Sequence, residues 1–369
     1  EVQEVVFYII VDQMHRLYQN LIRIDLEPFR HNGSCPGHAT VVYLRHIPTV
    51  TLVGHANLVT GCLPKEHGIV GNEYESSNQS LEISSEDITN LTKVKSAFQF
   101  FEGNAFSEIL HDRGFRVAAV GGKDYSTLTL GYPKAELTLF PIEESNHFVM
   151  KGLTDEDVLN DTKIPYAAIE QDQKKYEILD SLTYYGALES FRYFSKTKRQ
   201  KGVSKIAFLI TFSGIDLWGH IKGPDKRKYG AYSDSKIREY IKNTLSAHIN
   251  NFISIIHEVA PNSKKFLLIT SDHGAEYLHT GIELRHLTKR ELQTYHKDRI
   301  SISYDLSEMN ISSNGIGLVQ LSNLTEDEKT EVEEWFMDLT RRAEGYRRDF
   351  PIRCALRSSG EPLETINCC

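Results

Sequence analysis

Three stretches of the chain are almost continuously apolar and rich in β-branched residues, and they restrict the fold more than any other feature. They are residues 5–11, 205–212 and 265–270. Such runs are typical of strands that are buried on both faces of a parallel sheet. Segments with helical spacing lie between them, of which 176–194 and 236–259 are the longest. The sequence therefore predicts an α/β fold with a largely parallel central sheet flanked by helices.

The length of the chain bears on its domain organisation. With 369 residues, of which 40% are hydrophobic, the chain can bury one large core. We therefore expect a single domain over residues 1–369. Within it, residues 131–172 contain short strand-like pieces set among polar turns. This composition predicts a small cap that is inserted in the domain.

The composition also restricts the partners of the protein. Lys and Arg number 42 against 50 Asp and Glu, which gives a formal net charge of −8. No basic block with interleaved aromatic residues occurs, so nucleic acid is not expected as a partner. No run of eighteen or more apolar residues occurs, and we expect no membrane span.

Acidic residues follow all three of the predicted strands. Asp12 comes directly after the first strand, Asp216 four residues after the second, and Asp272 two residues after the third. Histidines lie close to two of them, at His220 and His273. A single acidic residue at such a position is often only a helix cap. Because parallel strands end at one edge of a sheet, and because carboxylate and imidazole are zinc ligands, the three together predict a two-metal site.

A threonine is expected at the start of a helix in the segment 46–61. An extended stretch leads to Thr51, and apolar residues with helical spacing follow it. The N–H groups and the dipole at a helix N-terminus stabilise an oxyanion, such as an alkoxide or a phosphoryl group. Thr51 alone would fit a role as a helix cap better than a catalytic role. Its combination with the three acidic residues favours a catalytic role.

Two further polar residues fit the same site. Asn72 closes a Gly-Asn turn, and its amide either points back toward Thr51 or belongs to the turn alone. Lys123 follows the predicted strand 115–120, where an ammonium group either supplies a point charge to a phosphate or is simply solvated.

Several motifs occur together in an order that is typical of one superfamily. They are Val11-Asp12-Gln13-Met14, Pro48-Thr49-Val50-Thr51, Gly54-His55-Ala56, His67-Gly68-Ile69, Gly71-Asn72, Asp216-Leu217-Trp218-Gly219-His220 and Ser271-Asp272-His273-Gly274. In these motifs the chain resembles the alkaline phosphatase superfamily from about residue 5 to residue 275. Within the superfamily it resembles the type I phosphodiesterase/nucleotide pyrophosphatase group and, more closely, the bacterial alkaline phosphatases that use a threonine nucleophile.

The resemblance implies two zinc ions as cofactors. The ligands of the first ion would be Asp12, Thr51, Asp272 and His273. Asp216 and His220 would hold the second ion, together with a third histidine that the family normally supplies from a downstream His-Gly element. No His-Gly follows His273, and the later histidines are His279, His286 and His296. A zinc ion held by two protein ligands would be bound weakly, so the second site is expected to be incomplete.

The resemblance also implies an activity, which is the hydrolysis of a small-molecule phosphate ester through a phosphothreonine at Thr51. Asn72 would donate to a phosphoryl oxygen and Lys123 would contact the phosphate, as in a phosphomonoesterase. The monoesterase branch commonly has Lys-Asp-Arg where this chain has Lys123-Asp124-Tyr125. Because the arginine clamp is missing, a phosphodiesterase/nucleotide pyrophosphatase is the alternative. The incomplete second metal site leaves a non-catalytic family member as a further alternative. A periplasmic or secreted location is implied as well.

Overall fold

The computed structural model describes most of the first 274 residues and short pieces beyond them. The described residues are 2–14, 20–30, 50–76, 81–84, 94–95, 97–98, 101–144, 147–154, 175–201, 205–221, 235–274, 310–313, 317–320, 325, 327, 330 and 334. The strands are β1 (Glu4–Val11), β2 (Glu73–Ser76), β3 (Leu81–Ser84), β4 (Arg116–Gly121), β5 (Leu137–Glu144), β6 (His147–Thr154), β7 (Lys205–Phe212), β8 (Lys264–Thr270), β9 (Asn310–Ser313) and β10 (Gly317–Gln320).

The helices lie mainly between the strands of the large sheet. They are α1 (Thr51–Thr60), α2 (Pro64–His67), α3 (Phe106–Asp112), α4 (Asp124–Gly131), α5 (Lys175–Lys201), α6 (Gly214–Ile221), α7 (Ser235–Tyr240) and α8 (Ser246–Val259). A π-helical turn, Ile241–Leu245, joins α7 to α8, and a short 3-10 helix covers Glu27–Phe29. None of the described helices combines the length and the apolar character that a membrane span requires.

The chain divides into two compact units. The first unit comprises Glu1–Arg45, Thr49–Ile69 and Ser85–Tyr277, and it contains the large sheet. The second unit comprises His46–Pro48, Val70–Ser84 and Leu278–Cys369. Its described strands form two antiparallel hairpins, β2–β3 and β9–β10. A single domain over residues 1–369 stays a prediction.

The large sheet has six strands in the order β6-β5-β4-β7-β1-β8. The five neighbouring strands β5, β4, β7, β1 and β8 are parallel to one another, and β6 is antiparallel to β5. In the register, Val11 at the end of β1 lies opposite Phe212 at the end of β7. The carboxyl ends of β1, β7 and β8 therefore meet at one edge of the sheet. The predicted fold class, a largely parallel sheet flanked by helices, is confirmed.

The core covers both faces of the central strands. Because successive side chains of a strand point to opposite faces, Phe7 and Ile9 belong to one apolar cluster, whereas Tyr8 and Ile10 belong to another. Phe7 and Phe208 pack against Phe252 of α8, which lies edge-on to the Phe208 ring at a centroid distance of 5.0 Å. The second cluster includes residues of α1, α3 and α4. Helices on both faces thus account for the nearly unbroken apolar runs of β1 and β7.

The prediction that the third apolar run is buried on both faces is wrong. This run forms β8, the outermost strand at its side of the described sheet. Phe266 and Leu268 on this strand are 43% and 56% exposed. β1 is the one described neighbour of β8. Along β8, residues 265, 267 and 269 are more buried than residues 264, 266 and 268, which lie between them.

The segment in which the sequence predicts a cap contributes two strands to the large sheet. β5 pairs in parallel with β4, and β6 returns antiparallel to β5. The strand-like pieces that precede residue 155 thus extend the central sheet at its edge. Residues 155–174 lie outside the described part of the chain. A cap over 131–172 as a whole stays a prediction.

Candidate active site

The three predicted acidic residues come together at the carboxyl edge of the sheet. Asp12 directly follows β1, and its backbone N–H donates to the carbonyl of Phe212 at the end of β7, at 2.9 Å. Asp216 lies in the first turn of α6, and Asp272 lies two residues after β8. Their exposed fractions are 0%, 2% and 1%. Carboxylates that are buried this deeply require cationic partners and hydrogen-bond donors.

Two of these carboxylates and one imidazole form a candidate cation site. Ligand atoms of Asp12, Asp272 and His273 all lie within 4.8 Å of one another. His273 Nε2 is 3.5 Å from Asp12 Oδ1 and 3.6 Å from Asp272 Oδ2. Within the described residues, both of these carboxylate oxygens are buried without an aligned hydrogen-bond donor, although His55 Nδ1 lies 3.2 Å from Asp272 Oδ2. Such a donor set fits a divalent cation.

The orientation of the His273 ring supports this assignment. Its Nδ1 lies 2.8 Å from the carbonyl oxygen of Gly274, which accepts the Nδ1–H of the neutral ring. The lone pair of Nε2 then faces the two carboxylates. Metal-ligating histidines commonly donate their other N–H to a backbone carbonyl in this way. His273 is thus oriented as a ligand rather than as a surface residue.

The electrostatics of the site favour the binding of a cation. Burial lowers the pKa of His273, but the nearby Asp272 and Asp12 outweigh this effect and raise it overall. Burial and the neighbouring Asp216 and Asp272 raise the pKa of Asp12 to about 7. Both shifts reflect an excess of buried negative charge. A divalent cation would relieve this excess and would compete with the proton on His273.

The hydroxyl of Thr51 faces the same imidazole. Thr51 is the first residue of α1, as the sequence predicts, and its Oγ1 lies 3.1 Å from His273 Nε2. Thr51 also forms a hydrogen bond with the side chain of Tyr125, whose pKa burial raises to about 12. The phenol of Tyr125 therefore stays protonated over the whole physiological range. The arrangement brings the threonine hydroxyl within reach of a cation held by His273.

Close packing fixes α1 against the segment after β8 that contains Asp272. A side chain on Gly54 would collide with this segment, since a Cβ atom would lie 2.6 Å from the carbonyl oxygen of Asp272. His55, which is fully buried, lies one turn after Thr51 and approaches the Thr51 carbonyl through Nδ1 at 2.9 Å. Its Nε2 lies 3.2 Å from Thr211 Oγ1. His55 is part of one of the sequence motifs, which assign it no role; its position four residues after Thr51 was the signal that could have placed it in the site.

Gln13 is a second residue that sequence reasoning did not place in the site. Its Nε2 donates to Asp216 Oδ1 at 2.8 Å, and its backbone N–H donates to Asp272 Oδ1 at 3.2 Å. Its φ of 62° lies in the left-handed region, which non-glycine residues rarely adopt. Gln13 thus links two of the acidic residues through a strained backbone, which is a frequent feature of functional sites.

The ammonium of Lys123 forms ion pairs with two carboxylates of the site. Its Nζ is 2.8 Å from Asp12 Oδ2 and 2.5 Å from Asp216 Oδ2. Burial lowers the pKa of Lys123, but Asp12 and Asp216 raise it well above its usual value. The alternative that Lys123 is a solvated lysine is therefore wrong. Its predicted contact with a phosphate stays a prediction.

The remaining predicted site residues lie at the limits of the described structure. His220 is part of α6, but its side chain lies outside the described residues, as do His279, His286 and His296. Asn72 is half-buried, directly precedes β2 and belongs to the second compact unit. Its role as a donor to a phosphoryl oxygen stays a prediction, and so do the ligands of a second zinc ion.

A further buried carboxylate supports the helix that carries Asp216. Asp180 of α5 accepts the backbone N–H of Gly214 at 2.8 Å, at the start of α6, and the hydroxyl of Tyr240 at 2.6 Å. Gly214 permits this contact, because a Cβ atom there would lie 2.8 Å from the Tyr176 carbonyl oxygen and still closer to the Asp180 carboxylate. Burial raises the pKa of Asp180 to about 6, although its hydrogen bonds oppose the shift.

We expect Asp180→Asn to remove a pH dependence of stability. The pKa of Asp180 rises from 3.8 to about 6 on folding, so its stabilising contribution is complete below about pH 4 and is lost as the pH rises through about 6. This loss amounts to about 3 kcal/mol in the free energy of unfolding. Denaturant unfolding of the metal-free protein at several pH values would measure it. Asp112→Asn, at a side chain that is 63% exposed, is the control. Parallel pH profiles for wild type and Asp180→Asn would contradict the expectation.

The fold and the site together define a class of protein. A parallel sheet that brings buried carboxylates, an imidazole and a helix-initiating threonine to one edge suits a phosphoric ester hydrolase. More specifically, the chain belongs to the family of the type I phosphodiesterases/nucleotide pyrophosphatases, whose model matches residues 6–357. The resemblance of the motifs to the type I phosphodiesterase/nucleotide pyrophosphatase group is therefore confirmed. Comparison with curated proteins gives no significant match.

Solved structures show a similar fold. The alkaline phosphatase PafA superimposes with a TM-score of 0.62 at 14% identity, and the match covers 93% of this chain and 77% of PafA. A mutant of PafA gives a TM-score of 0.57 at 13% identity, with the same coverage of 93% and 77%. Phosphonoacetate hydrolase from Sinorhizobium meliloti 1021 gives 0.48 at 14% identity, also over 93% and 77% of the two chains. At these identities the similarity to PafA concerns the fold.

Proposed function

We propose that the protein is a zinc-dependent phosphomonoesterase with Thr51 as its nucleophile. Phosphate ester hydrolysis is the general activity of its family. The observation that carries the more specific proposal is the contact of Thr51 Oγ1 with His273 Nε2 at 3.1 Å, in a ring whose lone pair also faces Asp12 and Asp272. The Thr51 hydroxyl therefore lies directly beside the imidazole nitrogen of a candidate cation ligand.

Zinc suits the donor set of this site. The site contains two carboxylates and an imidazole, and all three are buried. These are ligand types of catalytic zinc ions, whose coordination is completed by an oxygen of water or substrate. Thr51 Oγ1 would take that last position. When bound, a zinc ion lowers the pKa of the hydroxyl and stabilises the negative charge that develops in the transition state. We propose a second zinc ion at Asp216 and His220, as the resemblance implies.

The residues of the chain then have distinct roles in phosphoryl transfer. The Thr51 hydroxyl loses its proton to solvent, and its oxygen forms a bond to phosphorus as the bond from phosphorus to the leaving oxygen breaks in line. The leaving oxygen takes up a proton from water and departs as an alcohol. Water then attacks the phosphothreonine, so that phosphate is released and the threonine hydroxyl is restored. The N-terminus of α1, Lys123 and Asn72 would stabilise charge on the phosphoryl oxygens.

The position of Lys123 favours a monoester over a diester substrate. A monoester carries one more negative charge than a diester, and the ammonium of Lys123 lies within the site. The competing proposal, a phosphodiesterase/nucleotide pyrophosphatase, is favoured by Tyr125, which stands where the monoesterase branch has an arginine, and by the family itself. For either activity, we propose a small-molecule substrate and a periplasmic or secreted location.

Kinetics on paired substrates should distinguish the two activities. With p-nitrophenyl phosphate and bis(p-nitrophenyl) phosphate at saturating zinc, we expect wild type to have the higher kcat/KM on the monoester. Lys123→Ala should lower monoester turnover about 100-fold and diester turnover less than tenfold, since a charged donor to the phosphoryl group is removed. Lys134→Ala removes an exposed lysine outside the site and serves as the control. Equal losses on both substrates, or a wild type that prefers the diester, would favour the phosphodiesterase.

A further inference from the structure

His55 lies where three elements of the candidate site meet. Its imidazole is fully buried and contacts α1, β7 and the segment after β8. The Nδ1 atom is 2.9 Å from the carbonyl oxygen of Thr51 and 3.2 Å from Asp272 Oδ2. The Nε2 atom is 3.2 Å from Thr211 Oγ1 on β7. The ring thus joins the element that carries the proposed nucleophile to the segment that carries Asp272 and His273.

The position of His55 in α1 directs its ring toward the start of that helix. Side chains of a helix lean toward its N-terminus, and residues four apart share one face. The side chain of His55 therefore lies over the turn that begins at Thr51, the first residue of α1. Gly54 allows this turn to approach Asp272 closely. The imidazole consequently lies between the first turn of α1 and the segment after β8.

The Nδ1 atom of His55 carries a hydrogen, because both groups beside it are acceptors. The carbonyl of Thr51 and the carboxylate of Asp272 offer lone pairs and no hydrogen. Alignment favours the Thr51 carbonyl, since among the described residues Asp272 Oδ2 has no aligned donor. The hydrogen bond therefore holds the backbone of Thr51, and the lone pairs of Asp272 Oδ2 stay available for a cation.

We propose that His55 is a positioning residue for Thr51: its Nδ1–H holds the first turn of α1, and with it the Thr51 hydroxyl, beside the candidate cation site of Asp12, Asp272 and His273. The proposal rests on the proposed function, to which it adds a residue that fixes the geometry of the nucleophile. A displacement of about 1 Å near a reacting centre can lower turnover about 100-fold, and groups that orient metal ligands contribute about 10- to 100-fold to metal affinity.

Exchange of His55 for two different amides tests this proposal. The amide nitrogen of asparagine can take the place of Nδ1, whereas that of glutamine reaches toward the place of Nε2. We expect His55→Asn to keep kcat on p-nitrophenyl phosphate within about threefold of wild type. His55→Gln should lower kcat about 30-fold and change KM less than about twofold. In competition with a chromophoric chelator, the tightest-bound zinc should bind about tenfold more weakly to His55→Gln than to His55→Asn.

His67→Gln is the matched control. His67 is also a fully buried histidine, and its Nε2 lies 2.7 Å from Asn57 Oδ1 rather than beside Thr51 or Asp272. Both kcat and zinc affinity of this variant should stay within about twofold of wild type. Thermal unfolding of all the variants shows whether a loss of activity follows a loss of stability.

A purely structural role of His55 predicts a different result. His55→Asn and His55→Gln introduce the same polar group, and both would then lose activity in proportion to their Tm. Such parallel losses, or wild-type kcat and zinc affinity in His55→Gln, would overturn the proposal. If the variants do not fold, two-bond ¹H–¹⁵N spectra of the histidine-labelled wild type are the test, and a His55 ring without a hydrogen on Nδ1 would contradict it. An inactive wild type would reject the proposed function, whereas an active wild type with parallel losses in the variants would reject only the role of His55.

Discussion

Thr51→Ala is expected to abolish hydrolysis of phosphate esters. The substitution removes the proposed nucleophile, the Thr51 hydroxyl, and we expect kcat to fall by about 10⁴-fold or more. The methyl group of alanine fits the space of the threonine side chain, so the fold and the zinc content should change little. Steady-state kinetics on p-nitrophenyl phosphate, with metal analysis of the same samples, would measure both quantities.

Two matched variants show whether the loss of activity in Thr51→Ala is due to the loss of this hydroxyl. Thr51→Ser keeps a hydroxyl and should retain measurable activity. Thr60→Ala removes a threonine from the other end of α1, where its hydroxyl donates to the Ala56 carbonyl at 2.7 Å, and it should retain nearly full activity. Mass spectrometry after an acid quench should find phosphate on Thr51 in the wild type. Substantial turnover by Thr51→Ala would show that another group attacks phosphorus.

The second large effect is expected from His273→Ala, which removes the nitrogen ligand that we propose for the first zinc ion. Two carboxylates and a threonine oxygen would remain, and zinc affinity should fall about 100-fold or more. Turnover should fall in parallel, and a chelator should inactivate the wild type reversibly. Because the pKa of His273 is raised, its proton competes more strongly with zinc, and wild-type zinc affinity should decrease as the pH is lowered.

His111→Ala provides the control for this experiment. His111 lies on α3, its side chain is 55% exposed, and its ring contacts Asp112 rather than the site. Zinc affinity of this variant should equal that of the wild type. If His273→Ala bound zinc as tightly as His111→Ala, the assignment of Asp12, Asp272 and His273 as a cation site would be rejected.

The sequence predicts those parts of this fold and site that depend on local pattern. The apolar runs of β1 and β7 identify a parallel sheet because both strands are covered on both faces, and the topology then brings Asp12, Asp216 and Asp272 to one edge. The same reasoning fails for β8, since a run of apolar residues does not reveal whether a strand is central or outermost. It is also ambiguous for β5 and β6, whose short strand-like pieces fit an insertion as well as an edge of the sheet.

The contacts that fix the site could not be predicted in this way. Gln13 contacts Asp216 and Asp272 through its side-chain amide and a backbone in the left-handed region. Neither feature leaves a periodic pattern in the sequence. Asp180 approaches Gly214 across 34 positions of sequence, in a contact that depends on how α5 packs. Lys123 follows its strand as predicted, but whether its ammonium meets solvent, a phosphate or two carboxylates depends on the charges of residues distant in sequence.

The close approach of α1 to Asp272 makes the distance between Thr51 and His273 depend on the glycine at position 54. The hydroxyl of Thr51 lies on α1, and the imidazole of His273 lies on the segment after β8. These two elements can pack closely because Gly54 has no side chain between them. A methyl group there would push these elements apart and lengthen the distance between the Thr51 hydroxyl and the His273 imidazole. The roles proposed for Thr51 and His273 therefore depend on the absence of a side chain at Gly54.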